Sequence, residues 1–446
     1  MKNSKDCSNG LAWNWKPKDG KNFYVQSLLE HLKKVPDYRC GRVKPHDHAE
    51  MLACILTGYA NGRTSVARAL NWCKEHKDML QKHMELKSGI ASEATISRML
   101  NGIDEEMFAL VFMEWVAQLL KEHGIHIIID GKALRGATEK TKGGKTPYVL
   151  NAIDAATQLV IAQLAISEKT NEITSIPQLL ELLDIQDNIF TIDAIGTQKN
   201  IERLIVENGG HFVLQVKKNH PTLYEEIITG FEAFEKELAT EEKERAQKLK
   251  QYVEKYEKWY GQEKNRERIE YREMAVCRDT TFLECVRNGE ATFIKSVGCA
   301  TQIRIPVEKD GEGNDITVSK EEFLKNGSHR NPRPRTGDGI SDAVQQVGMI
   351  SDLTLSAEEM ARYKREHWKI ENNVHYELDN VLDEDRSTAK GGKNNLALIR
   401  KIVYNVLRLA IIKEHPKWGI QRMVDYFSDH PEMTAKYIFS EIESFY

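Results

Sequence analysis

The fold of this chain is decided by the stretch His126-Ile127-Ile128-Ile129-Asp130-Gly131-Lys132-Ala133-Leu134-Arg135-Gly136. It begins with an apolar, β-branched run of about strand length, and Asp130 stands where that run ends. A buried strand with a carboxylate at its carboxyl end is a common way to place a catalytic or metal-binding acid, because α/β sheets carry their sites at that edge. The same residue type also caps turns, so Asp130 taken alone is either a turn cap or a catalytic acid.

The composition indicates a globular protein of two or three domains. The chain has 446 residues, of which 41% are hydrophobic and 29% are charged. No apolar run approaches the ~20 residues that span a bilayer, and the first residues lack the apolar core of a signal peptide. The seven cysteines are scattered and form no Cys-x-x-Cys pair. We therefore expect reduced thiols and a cytoplasmic protein without a membrane contact.

The charge is distributed unevenly along the chain. The total is −4, which argues against a protein that coats nucleic acid uniformly. Residues 1–100 carry 17 Lys and Arg against 10 Asp and Glu, a net charge of +7, which leaves −11 for the remaining residues. A basic front on an acidic body suits local contact with DNA, although many globular proteins show such an asymmetry.

Residues 1–122 are predicted to form a helical N-terminal DNA-binding domain. Residues 108–120 place apolar side chains at helical spacing after Asp104, which is expected to cap that helix. Residues 91–100 predict a short helix with hydroxyl groups and one Arg on its polar face. This pattern resembles a DNA recognition helix, but it also suits an ordinary solvent-exposed helix face.

From residue 125 the hydrophobic period changes from that of helices to that of strands. Strands are predicted at 126–130, 148–156, 159–167, 188–193 and 211–216, and helices at 172–183 and 199–207. This order predicts an α/β fold with a ribonuclease-H-like mixed sheet and helices on both faces. The core is predicted in two parts, 123–219 and 351–415, separated by a β/α insertion at 220–350 and followed by a tail at 416–446. Residues 223–268 within the insertion are charge-rich and predict long helices.

Two further carboxylates join Asp130 in this arrangement. Asp193 ends an apolar strand as Asp130 does, and in a ribonuclease-H-like sheet the two strands are adjacent. Glu371 lies on the helix that follows the insertion. Carboxylates from two strands and a helix would form an oxygen-only site suited to Mg²⁺ or Mn²⁺. Two such ions about 4 Å apart can clamp an in-line phosphoryl transfer.

Several separated motifs resemble one protein family, the insertion-sequence transposases of the ISAs type, also called H-repeat-associated proteins. The motifs are Asp130-Gly131-Lys132-Ala133-Leu134-Arg135-Gly136, Lys169-Thr170-Asn171-Glu172-Ile173, Thr191-Ile192-Asp193-Ala194-Ile195-Gly196-Thr197-Gln198, and His367-Trp368-Lys369-Ile370-Glu371-Asn372 with Glu384-Asp385-Arg386-Ser387. The resemblance covers roughly residues 20–415, and the motifs occur in the order of the family.

The resemblance implies a DDE transposase whose acid triad is Asp130, Asp193 and Glu371, with all three as ligands of two Mg²⁺ or Mn²⁺ ions. Such an enzyme would cut double-stranded DNA at the terminal inverted repeats of its element and join the 3′-hydroxyl strand to target DNA. It would work as a homodimer on DNA. It would also be a bacterial, cytoplasmic protein associated with the nucleoid.

The chain departs from the broader group of insertion-sequence transposases around the catalytic acid. That group places a Tyr and an Arg seven and four residues before the Glu, whereas Lys364 and His367 precede Glu371 at those positions here. Arg365 lies between them, and the Lys that follows the Glu by seven residues is replaced by Leu378. The resemblance therefore does not settle which side chains contact the DNA phosphates.

Cationic residues near the three acids are candidate DNA contacts, although they could be ordinary surface charges. The candidates are Lys132, Arg135, Lys217, Lys218, Arg365, His367 and His375. The two histidines lie four residues before and after Glu371, a spacing that a helical zinc site could also use. Zinc sites of that kind need a further ligand at a defined spacing, which the sequence does not supply. We expect the histidines to contact DNA or to orient Glu371.

Two other functions remain compatible with the same residues. The chain could be a catalytically silent DNA-binding protein descended from a transposase, because metal ligands can persist after activity is lost. It could also be a ribonuclease-H-like nuclease that cuts DNA without joining it. Footprinting together with cleavage and strand-transfer assays separates these functions.

Overall fold

The computed structural model describes residues 24–40, 44–120, 124–138, 146–166, 172–238, 255–264, 268–309, 312, 315–316, 319–320, 322–323, 344–387 and 392–444. Within these ranges, no helix combines the length and apolar character needed to cross a membrane.

The helices, numbered in chain order, are α1 Leu28–Leu32, α2 His48–Ala60, α3 Val66–Glu75, α4 Lys77–Leu80, α5 Glu93–Gly102, α6 Glu105–Ala117, α7 Glu172–Glu181, α8 Lys199–Glu207, α9 Pro221–Leu238, α10 Glu284–Arg287, α11 Ala357–His367, α12 Tyr376–Asn380, α13 Lys393–Glu414, α14 Ile420–Asp429 and α15 Pro431–Phe439. A π-helix, Ile370–His375, separates α11 from α12.

The strands are β1 Tyr24–Val25, β2 His126–Ala133, β3 Tyr148–Asp154, β4 Val160–Ile166, β5 Ile189–Ile192, β6 His211–Val216, β7 Tyr256–Lys264, β8 Arg268–Cys277, β9 Ser296–Pro306, β10 Glu308–Lys309, β11 Asp315–Ile316, β12 Val344–Ser351 and β13 Ile442–Glu443. The prediction of helix was wrong for Tyr256–Lys264, which pairs with β8 as an antiparallel strand. From Tyr260 to Lys264 its side chains alternate between exposed and half-buried, as in a strand that has one face towards solvent.

The chain divides into two compact units that are discontinuous in sequence. Unit 1 comprises residues 1–125, 131–171 and 371–446, and unit 2 comprises residues 126–130 and 172–370. The chain therefore passes from unit 2 to unit 1 within β2, between Asp130 and Gly131.

Unit 1 is built around α13, a helix of 22 residues that is buried along most of its length. It contacts α2, α5, α6, α14, α15 and β4. Asn405 of α13 joins the edge of the β3–β4 hairpin, since its amide accepts from the Val160 N–H at 2.9 Å and donates to the Val160 carbonyl at 2.8 Å. Asn395 donates to the carbonyls of Leu100 and Ile103 at the end of α5. These bonds tie the N-terminal helices to the C-terminal helix.

Unit 2 contains a mixed sheet with helices on both faces. Its strands lie in the order β2-β5-β6-β12-β9-β8-β7, in which β2, β5 and β6 are parallel and the others antiparallel. Met349 of β12 packs in a core cluster with Met360 of α11. The neighbouring Gly348 lies against Ile227 of α9, on the opposite face. A β-carbon at Gly298 would collide with the Met360 sulfur, so this glycine permits the close approach of α11.

The start of α11 offers a local test of this architecture. The Ser356 hydroxyl accepts from the Glu359 N–H at 3.1 Å, and the Glu359 carboxylate accepts from the Ser356 N–H at 2.8 Å. Ser356→Ala should remove about 1 kcal/mol of local stability, so amides of the first turn should exchange with deuterium about fivefold faster. Ser97→Ala, on the exposed face of α5, is the control, and equal acceleration in both helices would contradict the assignment of the cap.

Candidate catalytic carboxylate site

The parallel pairing of β2 with β5 places two aspartates side by side in unit 2. Ile129 of β2 is paired with Ile192 of β5 in the register, and Asp130 and Asp193 are the residues that follow them. Both strands are apolar and buried up to this point, and both aspartates are half-buried. Two carboxylates therefore stand at adjacent positions on the same edge of the sheet.

Lys217 is bound to one of these carboxylates. It follows β6, the next parallel strand, and its ammonium nitrogen lies 2.6 Å from Oδ1 of Asp193. Burial alone would raise the pKa of Asp193, but the hydrogen bond and charge of Lys217 outweigh it and hold the pKa below its usual value. Asp193 is therefore ionised at neutral pH, and an ammonium group already balances its charge.

His367, at the end of α11, is buried and close enough to Asp193 for the charge of that carboxylate to act on it. Its Nδ1 lies 3.2 Å from the Thr191 hydroxyl, and Nε2 of His126 lies 2.8 Å from the same oxygen. Nδ1 of His126 also bonds Glu366 at 3.0 Å. Burial lowers the pKa of His367 to about 4, although the charge of Asp193 acts in the opposite direction. His367 is therefore neutral at physiological pH, and this placement favours an orienting role over contact with a phosphate.

Glu371 is exposed and lies in the π-helix Ile370–His375. It belongs to unit 1, whereas Asp130 and Asp193 belong to unit 2. The helix that was predicted to carry Glu371 is divided here into α11, this π-helix and α12. Such π segments are rare inside helices and occur frequently at functional sites.

Lys132 is a buried cation in unit 1. Its side chain is 6% exposed, and its ammonium nitrogen lies 2.6 Å from Oδ1 of Asp379 and 2.8 Å from Oε2 of Glu384. It also donates to the carbonyl of His375 at 3.3 Å, at the end of the π-helix that carries Glu371. These contacts favour a role in fixing the end of the Glu371 segment over a contact with phosphate.

The same network continues into α13. Lys401 lies 3.2 Å from the other oxygen of Glu384, and both side chains are buried. Burial would raise the pKa of Glu384, but the charges of Lys401 and Lys132 outweigh it and lower the pKa to about 2. Burial, assisted by the charge of Lys132, lowers the pKa of His375 to about 3, so this histidine is also neutral.

Other predicted DNA contacts lie at the surface. Arg135 begins a short 3₁₀-helix and is exposed, and Lys218 is exposed next to Lys217. Arg365 is exposed on α11 and forms an ion pair with Glu263 of β7. The motif segment 169–171 lies outside the described residues.

Sequence reasoning missed a group of cations in unit 2 as candidates for phosphate contact. Lys364 is largely buried on α11, and burial lowers its pKa to about 8, with the nearby charges of Lys217, Arg272 and Arg304 acting in the same direction. Arg272 and Arg304 lie on β8 and β9. Their long sequence separation from Lys217 leaves no local signal that would group them.

The carboxylate oxygens of Asp130 and Asp193 are ligands that suit a divalent cation with a preference for oxygen. The described residues contain no group of three or more His, Cys, Asp or Glu side chains that could hold a metal by themselves. The two adjacent aspartates nevertheless offer oxygen ligands, and Asp193 is ionised and bound to a cationic group. These features fit Mg²⁺ or Mn²⁺ better than zinc, which prefers nitrogen and sulfur ligands.

Two family models match the chain. The model described as "Transposase DDE domain" matches residues 121–406, and the model described as "DDE_Tnp_1-associated" matches residues 29–116.

Curated relatives match most of the chain. The H repeat-associated putative transposase YhhI and the putative protein YbfL, both of Escherichia coli K12, are each 27% identical over 86% of this chain and 90% of their own length. The putative transposase YncI of Escherichia coli O157:H7 is 28% identical over 86% of this chain and 88% of its own length. The cryo-EM structure of a piggyBac transposase synaptic complex with hairpin DNA aligns with a TM-score of 0.40 and 9% identity, covering 92% of this chain and 76% of that one.

The Lys132 network predicts a large loss of stability when its cation is removed. Lys132→Met would leave Glu384 buried beside a single lysine, and breaking a buried ion pair in this way typically costs about 3–5 kcal/mol. Arg135→Met, at an exposed position three residues further on, should change stability by less than about 0.5 kcal/mol. Thermal unfolding of the two variants measures the difference, and equal midpoints would show that the network is not structural.

Proposed function

Because the chain belongs to the family of transposase DDE domains, we propose that it cuts DNA at insertion-sequence ends and transfers the 3′-hydroxyl strand into target DNA by two-metal phosphoryl transfer. It is a DNA transposase, and the proposal concerns the chemistry and residues that it uses. The observation that carries the proposal is the register of β2 and β5, which puts Asp130 and Asp193 at adjacent positions.

The finer fold assignment is part of this proposal. A ribonuclease-H-like core is supported by the three parallel strands β2, β5 and β6, by the antiparallel β3–β4 hairpin, and by helices on both faces of the unit 2 sheet. In this fold the catalytic acids are carried by neighbouring strands, and here Asp130 and Asp193 follow the paired residues Ile129 and Ile192.

We assign Asp130 and Asp193 as the carboxylates that two Mg²⁺ or Mn²⁺ ions would share, with Glu371 completing the shell of one ion. When bound, such ions activate the attacking hydroxyl and stabilise the leaving oxygen of an in-line displacement. The protein's own contribution is then positioning. His367 holds Thr191, two residues before Asp193, and Lys132 holds the end of the helix that carries Glu371.

Lys217 has a second role in this scheme. In the ion-free protein it neutralises Asp193 across 2.6 Å. Once the Asp193 carboxylate has other cationic partners, the ammonium becomes available for a phosphate of the DNA. Lys218, Arg135 and Lys364 are further candidates for the backbone contacts that fix the position of DNA without reading its sequence.

The DNA partner is proposed to be the pair of terminal inverted repeats together with the target duplex. The exposed face of α5, which carries Ser97 and Arg98, is a candidate for reading the repeat. Two ends have to be brought together for joining, so we propose that two copies of the chain act as a homodimer on DNA.

Asp193→Asn should nearly abolish Mg²⁺-dependent nicking of duplexes that carry the element's inverted repeats. Losing an outer partner of a metal ligand typically costs roughly 10–100-fold, so losing a ligand should cost more than about 100-fold. Asp187→Asn is the matched control, because Asp187 is exposed just before β5.

Equal nicking by the wild type and Asp193→Asn would refute the assigned chemistry. Specific binding by the wild type without cleavage in Mg²⁺ or Mn²⁺ would instead favour a silent DNA-binding protein. Cleavage without strand transfer would favour a nuclease.

Lys217→Met should change two measurable quantities, the Mg²⁺ concentration that nicking requires and the salt dependence of DNA binding. Removing the ammonium that competes for Asp193 should lower the Mg²⁺ concentration for half-maximal nicking, while the salt dependence of DNA binding should weaken by about one unit of slope. Lys218→Met should change the salt slope alone, because Lys218 has no described ion pair with an aspartate. An unchanged Mg²⁺ requirement in Lys217→Met would contradict the competition.

A further inference from the structure

The turn at residues 381–387, between α12 and α13, carries motif residues to which the proposed chemistry gives no role. The motif Glu384-Asp385-Arg386-Ser387 lies in this turn, and none of its members is an assigned metal ligand. The Glu384 N–H donates to the Leu378 carbonyl of α12 at 2.9 Å. The turn therefore folds back onto the helix that follows the Glu371 segment.

A second motif residue, Gly136, packs against the same turn. A β-carbon at Gly136 would collide with the carbonyl oxygens of Asp385 and Ser387. Only a residue without a side chain lets the 3₁₀-helix Arg135–Ala137 approach the turn this closely. Two motifs that are far apart in sequence thus lie against each other within unit 1.

Glu384 joins this turn to the segment that carries Glu371. Its side chain is 1% exposed, and its two oxygens lie 2.8 Å from the Lys132 ammonium and 3.2 Å from that of Lys401 in α13. Lys132 in turn donates to the carbonyl of His375, the last residue of the π-helix that contains Glu371. These groups are buried together, and removing one of them leaves an uncompensated charge. Glu384 therefore fixes Lys132, and Lys132 fixes the end of the π-helix.

The turn is also anchored to the N-terminal helices. The hydroxyl of Thr64, between α2 and α3, donates to the Asp383 carboxylate at 2.7 Å. Nε of Arg400 in α13 donates to the Leu382 carbonyl at 2.9 Å, and the same guanidinium lies over the ring of Tyr59 in α2. Asp383 has a φ of 52°, a backbone conformation that a residue other than glycine keeps only where its surroundings hold it.

We propose that Glu384 is a positioning residue for Glu371, and that the turn at 381–387 ties the Glu371 segment to α2 and α13. The inference rests on the proposed function in one respect, namely that Glu371 is a ligand of a divalent ion. Glu384 itself touches neither metal nor DNA in this scheme, because it is buried and its oxygens are bound by two lysines. A ligand has to be held within about 0.5 Å of its productive position, so such a support acts on metal affinity.

Mn²⁺ binding to the full chain, measured by electron paramagnetic resonance, tests this role without DNA or cleavage. Glu384→Gln should raise the Mn²⁺ dissociation constant about tenfold, because outer partners of a metal ligand typically contribute roughly 10–100-fold to affinity. The Mg²⁺ concentration for half-maximal nicking should rise by the same factor, with unchanged affinity for DNA in EDTA. Glu432→Gln, at an exposed position of α15, is the control. An unchanged Mn²⁺ affinity in Glu384→Gln would overturn the proposal.

A double variant separates this effect from a loss of folding. Glu384→Gln combined with Lys401→Met removes one buried charge of each sign and leaves Lys132 paired with Asp379. It should melt close to the wild type, because replacing both partners of a buried ion pair is often neutral. It should still bind Mn²⁺ about tenfold more weakly. Wild-type values of both the melting temperature and the Mn²⁺ affinity would contradict a positioning role.

Thr64→Val tests the tie to the N-terminal helices, since valine keeps the shape of threonine and removes the hydroxyl that bonds Asp383. The Mn²⁺ dissociation constant should rise about threefold, as expected for the loss of one hydrogen bond. Thr229→Val, whose hydroxyl bonds carbonyls of its own helix α9, should leave it unchanged. Equal constants in the wild type and Thr64→Val would contradict the tie.

Glu371→Gln distinguishes failure of this inference from failure of the proposed function. If Glu384 acts through Glu371, adding Glu384→Gln to Glu371→Gln should weaken Mn²⁺ binding no further. Effects that multiply would overturn the inference and leave the proposed ligand set intact. Mn²⁺ binding that is unaffected by Glu371→Gln would refute the ligand set itself. Non-additive effects on Mn²⁺ binding in a wild type that does not nick DNA would support the positioning role and count against the proposed chemistry.

Discussion

The parallel pairing of β2 with β5 is the constraint on which the site depends. Each strand is a short apolar run that must be buried on both faces, and burial fixes the register because a slip by one residue would exchange the two faces. With Ile129 opposite Ile192, the carboxylates that follow these two residues fall at the same level. At this level the ammonium of Lys217 pairs with Asp193 and balances its charge.

Lys132 and Lys217 differ in burial, and this difference indicates which of the two ammonium groups can change its partner. The ammonium of Lys132 is paired with Asp379 and Glu384. If these ion pairs broke, the buried carboxylate of Glu384 would lose a cationic partner, which is costly. Lys217 pairs with Asp193 at a half-exposed position, where water can replace either partner at little cost. The first lysine therefore suits a permanent support, and the second suits a group that changes partner when DNA and metal arrive.

The sequence predicted what depends on local pattern and missed what depends on distant partners. The strands that carry Asp130 and precede Asp193 were foreseeable, because β-branched runs followed by a carboxylate are visible within a few residues, although β2 continues past Asp130 to Ala133. The partners of Lys132 lie about 250 residues away, so a phosphate contact and a buried ion pair look alike in sequence. Strand β7 was mistaken for helix because its alternating charges mask the period of two.

We propose that Asp130 and Asp193 bind the same divalent ions with Glu371, and the positions of those ions can be measured directly. Fe²⁺ in place of Mg²⁺, supplied with hydrogen peroxide and ascorbate, reduces the peroxide to hydroxyl radicals that cut the polypeptide near the bound ion, and mass spectrometry locates the cuts. Cuts are expected close to all three acids, and they should be suppressed by excess Mg²⁺ and lost together in Asp130→Asn. Cuts confined to other parts of the chain, or an unchanged pattern in Asp130→Asn, would contradict it.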